Sequence, residues 1–325
     1  MDADELRRQD EAIIKRAEGI STPMKVGRPG DFVIRVDGRV REPVVRELCL
    51  LTGYRQSASD GPSVLCRDDY PSIRITTGER RKTALEAIAF RVDDIDDAVR
   101  HCRDSPVPAI ITPDGTAILT GPSDLTGIAV HFTAADAGSS ADGQRPSLSR
   151  PFHARIGPPD HITIRVRAEQ RPDAVLELIR LTGAVFTGSE YVVPFRSVNS
   201  VLMLPGTGFA INVVSGTRPF IPEKGITEPF LSRFGAGVHH IGFLADGIRE
   251  LVAEMEEDGI PFSLPLTGSE GEGILQAMTT RSEYTGLIIE YLQRYGSFSG
   301  FFAPSMTVRP SGPSSPPPSP EPQDP

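Results

Sequence analysis

Two histidines and one glutamate in the second half of the chain, His161, His240 and Glu290, bring together the residue types that metal chemistry uses. Glu290 is the single charge in an apolar stretch that includes Tyr284, Leu287, Ile288, Ile289 and Tyr291, the pattern of a buried strand. A carboxylate there is costly, or takes up a proton, unless a cation or strong donors meet it. His161 opens the strand pattern HITIRV, and His240 lies in a second one, VHHIGF. Two imidazoles and one carboxylate form the facial set that suits non-haem Fe(II), with positions open for substrate and O2; zinc and manganese accept the same donors. His239 precedes His240, and strand alternation sends the two to opposite faces. His240 then shares its face with the small Val238 and Gly242, so His240 is the expected ligand and His239 a core or supporting residue.

An internal duplication explains why these positions stand out. Setting Asp31 on His161 without gaps lays ELCLLTG (47–53) over ELIRLTG (177–183) and VIRV (33–36) over TIRV (163–166). Further on, ALEAIAF (84–90) matches GVHHIGF (237–243), and TGIAVHF (126–132) matches TGLIIEY (285–291). The first copy therefore offers Asp31, Ala87 and His131 where the second offers His161, His240 and Glu290. Ala87 cannot ligate a metal, so only the second copy can complete a site. The second copy also carries an extra Pro-rich segment, residues 218–236, read as a loop or lid.

The elements that must position these residues follow from patterning. Residues 4–17 read as a helix, followed by a Gly/Pro-punctuated lead-in to residue 30. Each half then reads as strand, helix and further short strands, with Gly53 and Gly183 stopping the helices 43–51 and 172–182. The expected fold class is α+β, built of tandem βαβββ modules. The expected organisation is an N-terminal helix and lead-in (1–30), a first domain without metal (31–134) and a linker (135–152) rich in Ala, Ser, Gly and Asp. A catalytic domain (153–303) and an unstructured Pro/Ser-rich tail (304–325) complete it.

At 325 residues, 38% of them hydrophobic, with a formal charge of -9, the chain reads as a soluble acidic globule and not a nucleic-acid binder. No apolar run reaches the roughly 20 residues that cross a bilayer, and the N-terminus lacks the apolar core of a signal peptide. No membrane partner is expected, and a cytoplasmic location is the default. Cys49, Cys66 and Cys102 show no C-x-x-C spacing and receive no role.

The stretches PDHITIRV (159–166), GAGVHHIGFLADGI (235–248), LIIEYLQR (287–294) and GSFSGFF (296–302) resemble the family of 4-hydroxyphenylpyruvate dioxygenase and 4-hydroxymandelate synthase, of the vicinal oxygen chelate superfamily. The resemblance spans most of residues 30–302 and implies two domains of two modules each, forming open barrels. It implies Fe(II) held by His161, His240 and Glu290, with O2 as co-substrate. It implies oxidative decarboxylation of a 2-oxo acid and hydroxylation of the same molecule, without external 2-oxoglutarate. Ser200, Asn212, Gln276 and, near the C-terminus, Phe298 and Phe302 fall where the family places substrate-side residues. His239 and Met278 stand where it has Gln and Phe, and FSGFF is shorter than its closing motif. These departures leave the metal set intact and the side chain of the 2-oxo acid open. A metal-dependent isomerase or lyase and a small-molecule binder of the same fold are the alternatives. Family members often form homo-oligomers; the sequence itself does not set the oligomeric state.

Overall fold

In the computed structural model, which describes residues 1–20, 24–57, 62–67, 70–79, 84–103, 107–134, 150–221 and 225–310, the chain starts with helix α1 (Ala3–Ala17). Asp2 caps it, its side chain accepting from the Glu5 amide at 2.8 Å. Four strand–helix–strand–strand–strand modules follow. The first holds β1 (Val26–Val36), α2 (Arg41–Thr52), β2 (Arg55–Gln56), β3 (Ser63–Cys66) and β4 (Ser72–Thr77). The second holds β5 (Leu85–Val92), α3 (Ile95–Arg103), β6 (Ala109–Ile111), β7 (Ala117–Thr120) and β8 (Ala129–Ala134). The third holds β9 (Ile156–Val166), α4 (Arg171–Thr182), β10 (Val185–Val192), β11 (Ser197–Met203) and β12 (Ala210–Ser215). Helix α5 (Thr227–Phe234) precedes the fourth, which comprises β13 (Gly237–Ala245), α6 (Ile248–Glu257), β14 (Phe262–Ser269), β15 (Ile274–Thr279) and β16 (Ile288–Arg294).

The duplicated motifs fold alike because the same side chains do the same work. Helices α2 and α4 both end in a left-handed glycine, Gly53 at φ 71° and Gly183 at φ 65°. One residue earlier, Thr52 and Thr182 each donate to the carbonyl four residues back, of Leu48 and Leu178.

Two modules make each sheet, joined through their first strands. The first sheet runs β2-β3-β4-β1-β5-β8-β7-β6, with β1 antiparallel to β5. The second runs β14-β15-β16-β13-β9-β12-β11-β10, with β13 antiparallel to β9, and ends on a short strand, β17 (Thr307–Val308). Each strand's alternation gives its sheet two faces. On the second sheet Ile162, Ile164, Ile211, Val213, Ile241, Phe243, Ile289 and Tyr291 enter the main apolar core with Val175, Leu178, Leu251 and Met255 of α4 and α6. Each such fully buried side chain contributes about 1.5–3 kcal/mol. The core is continuous with that of the first domain. Hydrogen bonds also cross between the domains, from the Tyr291 hydroxyl to the Leu51 carbonyl at 2.6 Å and from Arg67 to the Ile156 carbonyl at 2.6 Å.

Three boundaries differ from the sequence expectation. Strand β1 begins at Val26, before residue 31, because its Gly and Pro residues fall at register shifts against β5, where a missing N–H or side chain is tolerated. Residues 218–236 are more than a loop, since they contain α5. Part of the expected tail, residues 304–308, is structured. Pro304–Met306 form a turn and β17 pairs with the outer edge of β10, covering ladder groups that an open edge would expose. Arg309 then reaches the buried Glu190 at 3.1 Å. Residues 135–149, in the expected linker, and 311–325 lie outside the described residues.

Candidate metal centre

His161 on β9, His240 on β13 and Glu290 on β16 occupy adjacent strands in register: Gly242 pairs with His161 on one side and with Glu290 on the other. The ligand-capable atoms of the three side chains all lie within 4.8 Å of one another. His161 Nε2 is 3.3 Å from His240 Nε2 and 3.1 Å from Glu290 Oε2, and His240 Nε2 is also 3.1 Å from that oxygen. All three are buried. Gly242 makes the approach possible, because a Cβ on it would lie 2.2 Å from His161 Cε1. The first domain repeats the register with an incomplete donor set: Asp31 pairs with Ala89, and Ala89 with His131. There Ala87 packs with Val33 and Ala129, and Asp31 pairs with Arg74 at 3.2 Å.

Each histidine is held through its other ring nitrogen by the residue just before it. Asp160 Oδ2 lies 2.8 Å from His161 Nδ1, and Arg294 grips the same carboxylate at 2.6 and 3.0 Å. His239 Nδ1 lies 2.8 Å from His240 Nδ1. Simple alternation forbids this, and β-bulges permit it. The β9/β13 register passes from Gly242–His161 to Phe243–Pro159 and from Val238–Ile164 to His240–Thr163, leaving Asp160 and His239 as the extra residues. The second bulge corrects the sequence reading. His239 turns to the same side as His240, and Val238 goes to the apolar core. The bulges recur in the first domain at Gly30 and Glu86, so they belong to the module and not to the metal set.

The charges agree with the geometry. Burial alone would raise Asp160, but hydrogen bonds from His161 and Arg294 outweigh it and hold the carboxyl at about 2. Glu290 is likewise held at about 2, the imidazoles of His240 and His161 overcoming burial. Burial pushes His161 down, yet Asp160 and Glu290 lift it to about 9. His239 is driven well below the ordinary histidine range by burial and by Arg165. It therefore stays neutral, able to accept from His240 Nδ1–H and leave Nε2 of His240 for a ligand bond. Replacing Asp160 by Asn keeps the shape and removes the charge. Co(II) affinity, read by titration, is expected to fall about 10–100-fold, as for other partners that orient a metal-binding histidine. Unchanged affinity would show that Asp160 does not support the site.

These donors line a cavity of about 480 Å³ on the face of the second sheet opposite the apolar core. Strands from both ends of the sheet contribute, with Ser197 and Asn199 of β11 and Met278 of β15 lining one space, so the sheet curls around it. Ile226 and Pro229, at the start of α5, and Phe301 and Phe302 close it. Phe301 lies edge-on to His161, ring centroids 4.9 Å apart.

Of the residues expected on the substrate side, Asn212, His239, Met278 and Phe302 line the cavity. Asn212 Oδ1 has no partner among the described residues. Ser200 faces the other way, bonded to Arg171 and Ser189 beneath α1, and its neighbour Asn199 takes the cavity position. Gln276 is buried beside Leu292, outside the lining. Phe298 packs over Gly273 against the cluster of Ile274, Leu292 and Ala303, while Phe301 takes the place next to His161. The closing segment 295–303 forms no helix. Sequence reasoning passed over Asp160, Arg294, Arg165, Arg281 and Phe301. Period-two alternation from His161 through Thr163 to Arg165 was a usable signal for one of them.

Paired βαβββ modules forming two curled sheets are the architecture of the vicinal oxygen chelate fold. Among solved structures, the chain is similar to a triple mutant of 4-hydroxymandelate synthase from Streptomyces coelicolor, at 18% identity and TM-score 0.66, covering 87% of this chain and 98% of that one. It is also similar to a fusion of a xylose isomerase-like TIM barrel with 4-hydroxyphenylpyruvate dioxygenase, at 15% identity and TM-score 0.65, covering 91% of this chain and 55% of that one. A third is the Mn(II)-bound glyoxalase from Novosphingobium aromaticivorans, at 11% identity and TM-score 0.56, covering 89% of this chain and 86% of that one. These likenesses establish the fold. No protein-family model and no curated protein sequence matches the chain. Among the described residues no helix is long and apolar enough to cross a membrane.

Proposed function

We propose that the protein is an Fe(II)-dependent dioxygenase that oxidatively decarboxylates a 2-oxo acid and hydroxylates the same molecule, with no external 2-oxoglutarate. The observation that carries this reading is the convergence of three buried donors, His161, His240 and Glu290, at the wall of a mainly apolar cavity. The donor set, two imidazole nitrogens and a carboxylate oxygen all within 4.8 Å of one another, fits a divalent metal ion. Bound iron would supply a chelation point for the 2-oxo acid and the activation of O2.

The chain's own residues supply the rest. Asp160 and His239 fix the ring orientation of the two histidines, and the Arg294 clamp keeps Asp160 ionised. Phe301, Phe302 and Ile226 give the cavity apolar walls beside the three donors. Asn199, Asn212 and Ser197 present polar atoms to a substrate lying along β11 and β12. Met278, beside Glu290 in the β15–β16 register, offers a flexible apolar wall in place of an aromatic clamp.

Iron-loaded protein given a panel of 2-oxo acids is expected to consume O2 and release CO2 in equal amounts with at least one of them. The similarity to a Mn(II)-bound glyoxalase supports a second reading, a non-oxidative isomerase or lyase on the same donors. Turnover with manganese or zinc and no O2 uptake would select it.

A further inference from the structure

Around Phe230 the cavity gathers positive charge that the metal chemistry does not use. Arg165 leaves β9 on the same face as His161, about 13 Å further along the strand. It is 5% exposed, stacks on the Phe230 ring at 5.3 Å and donates from Nη1 to the Ile226 carbonyl. Its Nε has no partner among the described residues. Arg281, half-buried, stacks on the same ring at 5.2 Å and also lines the cavity. His239 meets Phe230 from a third side, centroids 5.3 Å apart.

Two guanidinium groups on one ring repel each other. After burial, Arg281 is the strongest influence on Arg165, ahead of the attraction of Glu228. Glu228 itself accepts from the Thr217 amide. Neither arginine forms an ion pair among the described residues, and Arg233 adds to the repulsion on Arg281. Among the described residues the only acid lining the cavity is Glu290, which belongs to the metal set. Burying like charges is costly unless an anion joins them, and arginine's planar fork is suited to carboxylate and phosphate.

We propose that Arg165 and Arg281 hold a second anionic group of the substrate, so that the 2-oxo acid accepted here is acidic at the end away from the metal. This rests on the 2-oxo acid reading above and adds the chemical class of the side chain. Asn212, on β12 abreast of Thr163 and so midway between His161 and Arg165, would contact the middle of such a molecule.

The test is calorimetric binding, without O2, to metal-free and Zn(II)-loaded protein, using acids paired by length. Oxaloacetate is set against 2-oxobutanoate, 2-oxoglutarate against 2-oxopentanoate, 2-oxoadipate against 2-oxohexanoate, and 4-carboxyphenylpyruvate against 4-methylphenylpyruvate. The phosphonate 2-oxo-4-phosphonobutanoate separates a phosphoryl from a carboxyl preference. At least one acidic member is expected to bind about tenfold or more tightly than its neutral partner, the size of one charge-assisted hydrogen bond. That preference should fall to near unity in Arg281→Met and in Arg165→Met. Arg281 is half-buried, so its variant keeps the test open if the Arg165 variant does not fold. Equal binding within every pair, or a preference that survives in both folded variants, overturns the proposal. An acidic preference with no O2 uptake by iron-loaded protein leaves the arginine assignment standing and overturns the dioxygenase reading.

Discussion

Glu290→Ala protein is expected to bind no Fe(II) at stoichiometric loading and to show no O2-dependent turnover, with the same loss in His161→Ala and His240→Ala. Removing a partner that only orients a ligand costs about 10–100-fold in affinity, and removing one of three protein donors must cost more. Each substitution also leaves the remaining buried groups unbalanced. Without Glu290, His161 loses one of the two carboxylates that hold its ring, and His240 loses the anion that offsets its burial. Metal analysis after anaerobic loading and desalting reads the result. Full iron content in any of the three would remove that residue from the metal set. As a control, His131→Ala in the first domain, whose register-mate is Ala89 and whose module has Ala87 in place of a donor, should leave iron content unchanged.

Gly242→Ala is the second large effect. A Cβ at that position would lie 2.2 Å from Cε1 and 2.5 Å from Nδ1 of His161. His161 cannot swing aside, since Asp160, itself clamped by Arg294, holds its Nδ1, and Phe301 covers the ring. The methyl group therefore displaces a ligand or pushes β13 from β9. A stability loss of about 1–3 kcal/mol is expected from overpacking, together with loss of stoichiometric iron binding. Thermal melting and metal analysis report the two separately. An alanine protein with native melting and full iron would mean that His161 does not stand where β9 places it.

The internal duplication made the strands of the site legible in the sequence. It set Asp31, Ala87 and His131 against His161, His240 and Glu290, and the structure places each trio on three neighbouring strands, β1, β5 and β8 in one half and β9, β13 and β16 in the other. The misplaced details share one physical origin. A bulge is a property of two strands together, so the turn of His239 toward His240 cannot be read from β13 alone. Ser200 and Asn199 are neighbours in a strand of similar residues, and the face each takes depends on Arg171 of α4 and on α1 from the far N-terminus. Among the phenylalanines near the C-terminus, the one beside His161 is chosen by how an irregular segment runs. The clamp from Arg294 to Asp160 joins residues far apart in sequence and brought close only by the sheet.

The same logic separates what the two halves do. Both keep the bulged modules and their apolar cores, and only the second pairs the bulges with donors: Asp160 and His239 there, Gly30 and Glu86 in the first. In the first half Glu86 serves an ion pair with Arg35 at 2.6 Å. The module thus provides a place beside each first strand where an extra side chain can turn inward, and the second half uses that place to aim its imidazoles.

The most direct measurement follows labelled oxygen. Iron-loaded protein turning over its 2-oxo acid under 18O2 is expected to place one labelled atom in the new carboxylate and one in the new hydroxyl of the same product molecule, as oxidative decarboxylation coupled to hydroxylation requires. A product formed without O2 consumption and free of label would contradict the account and point to non-oxidative chemistry on the same three donors.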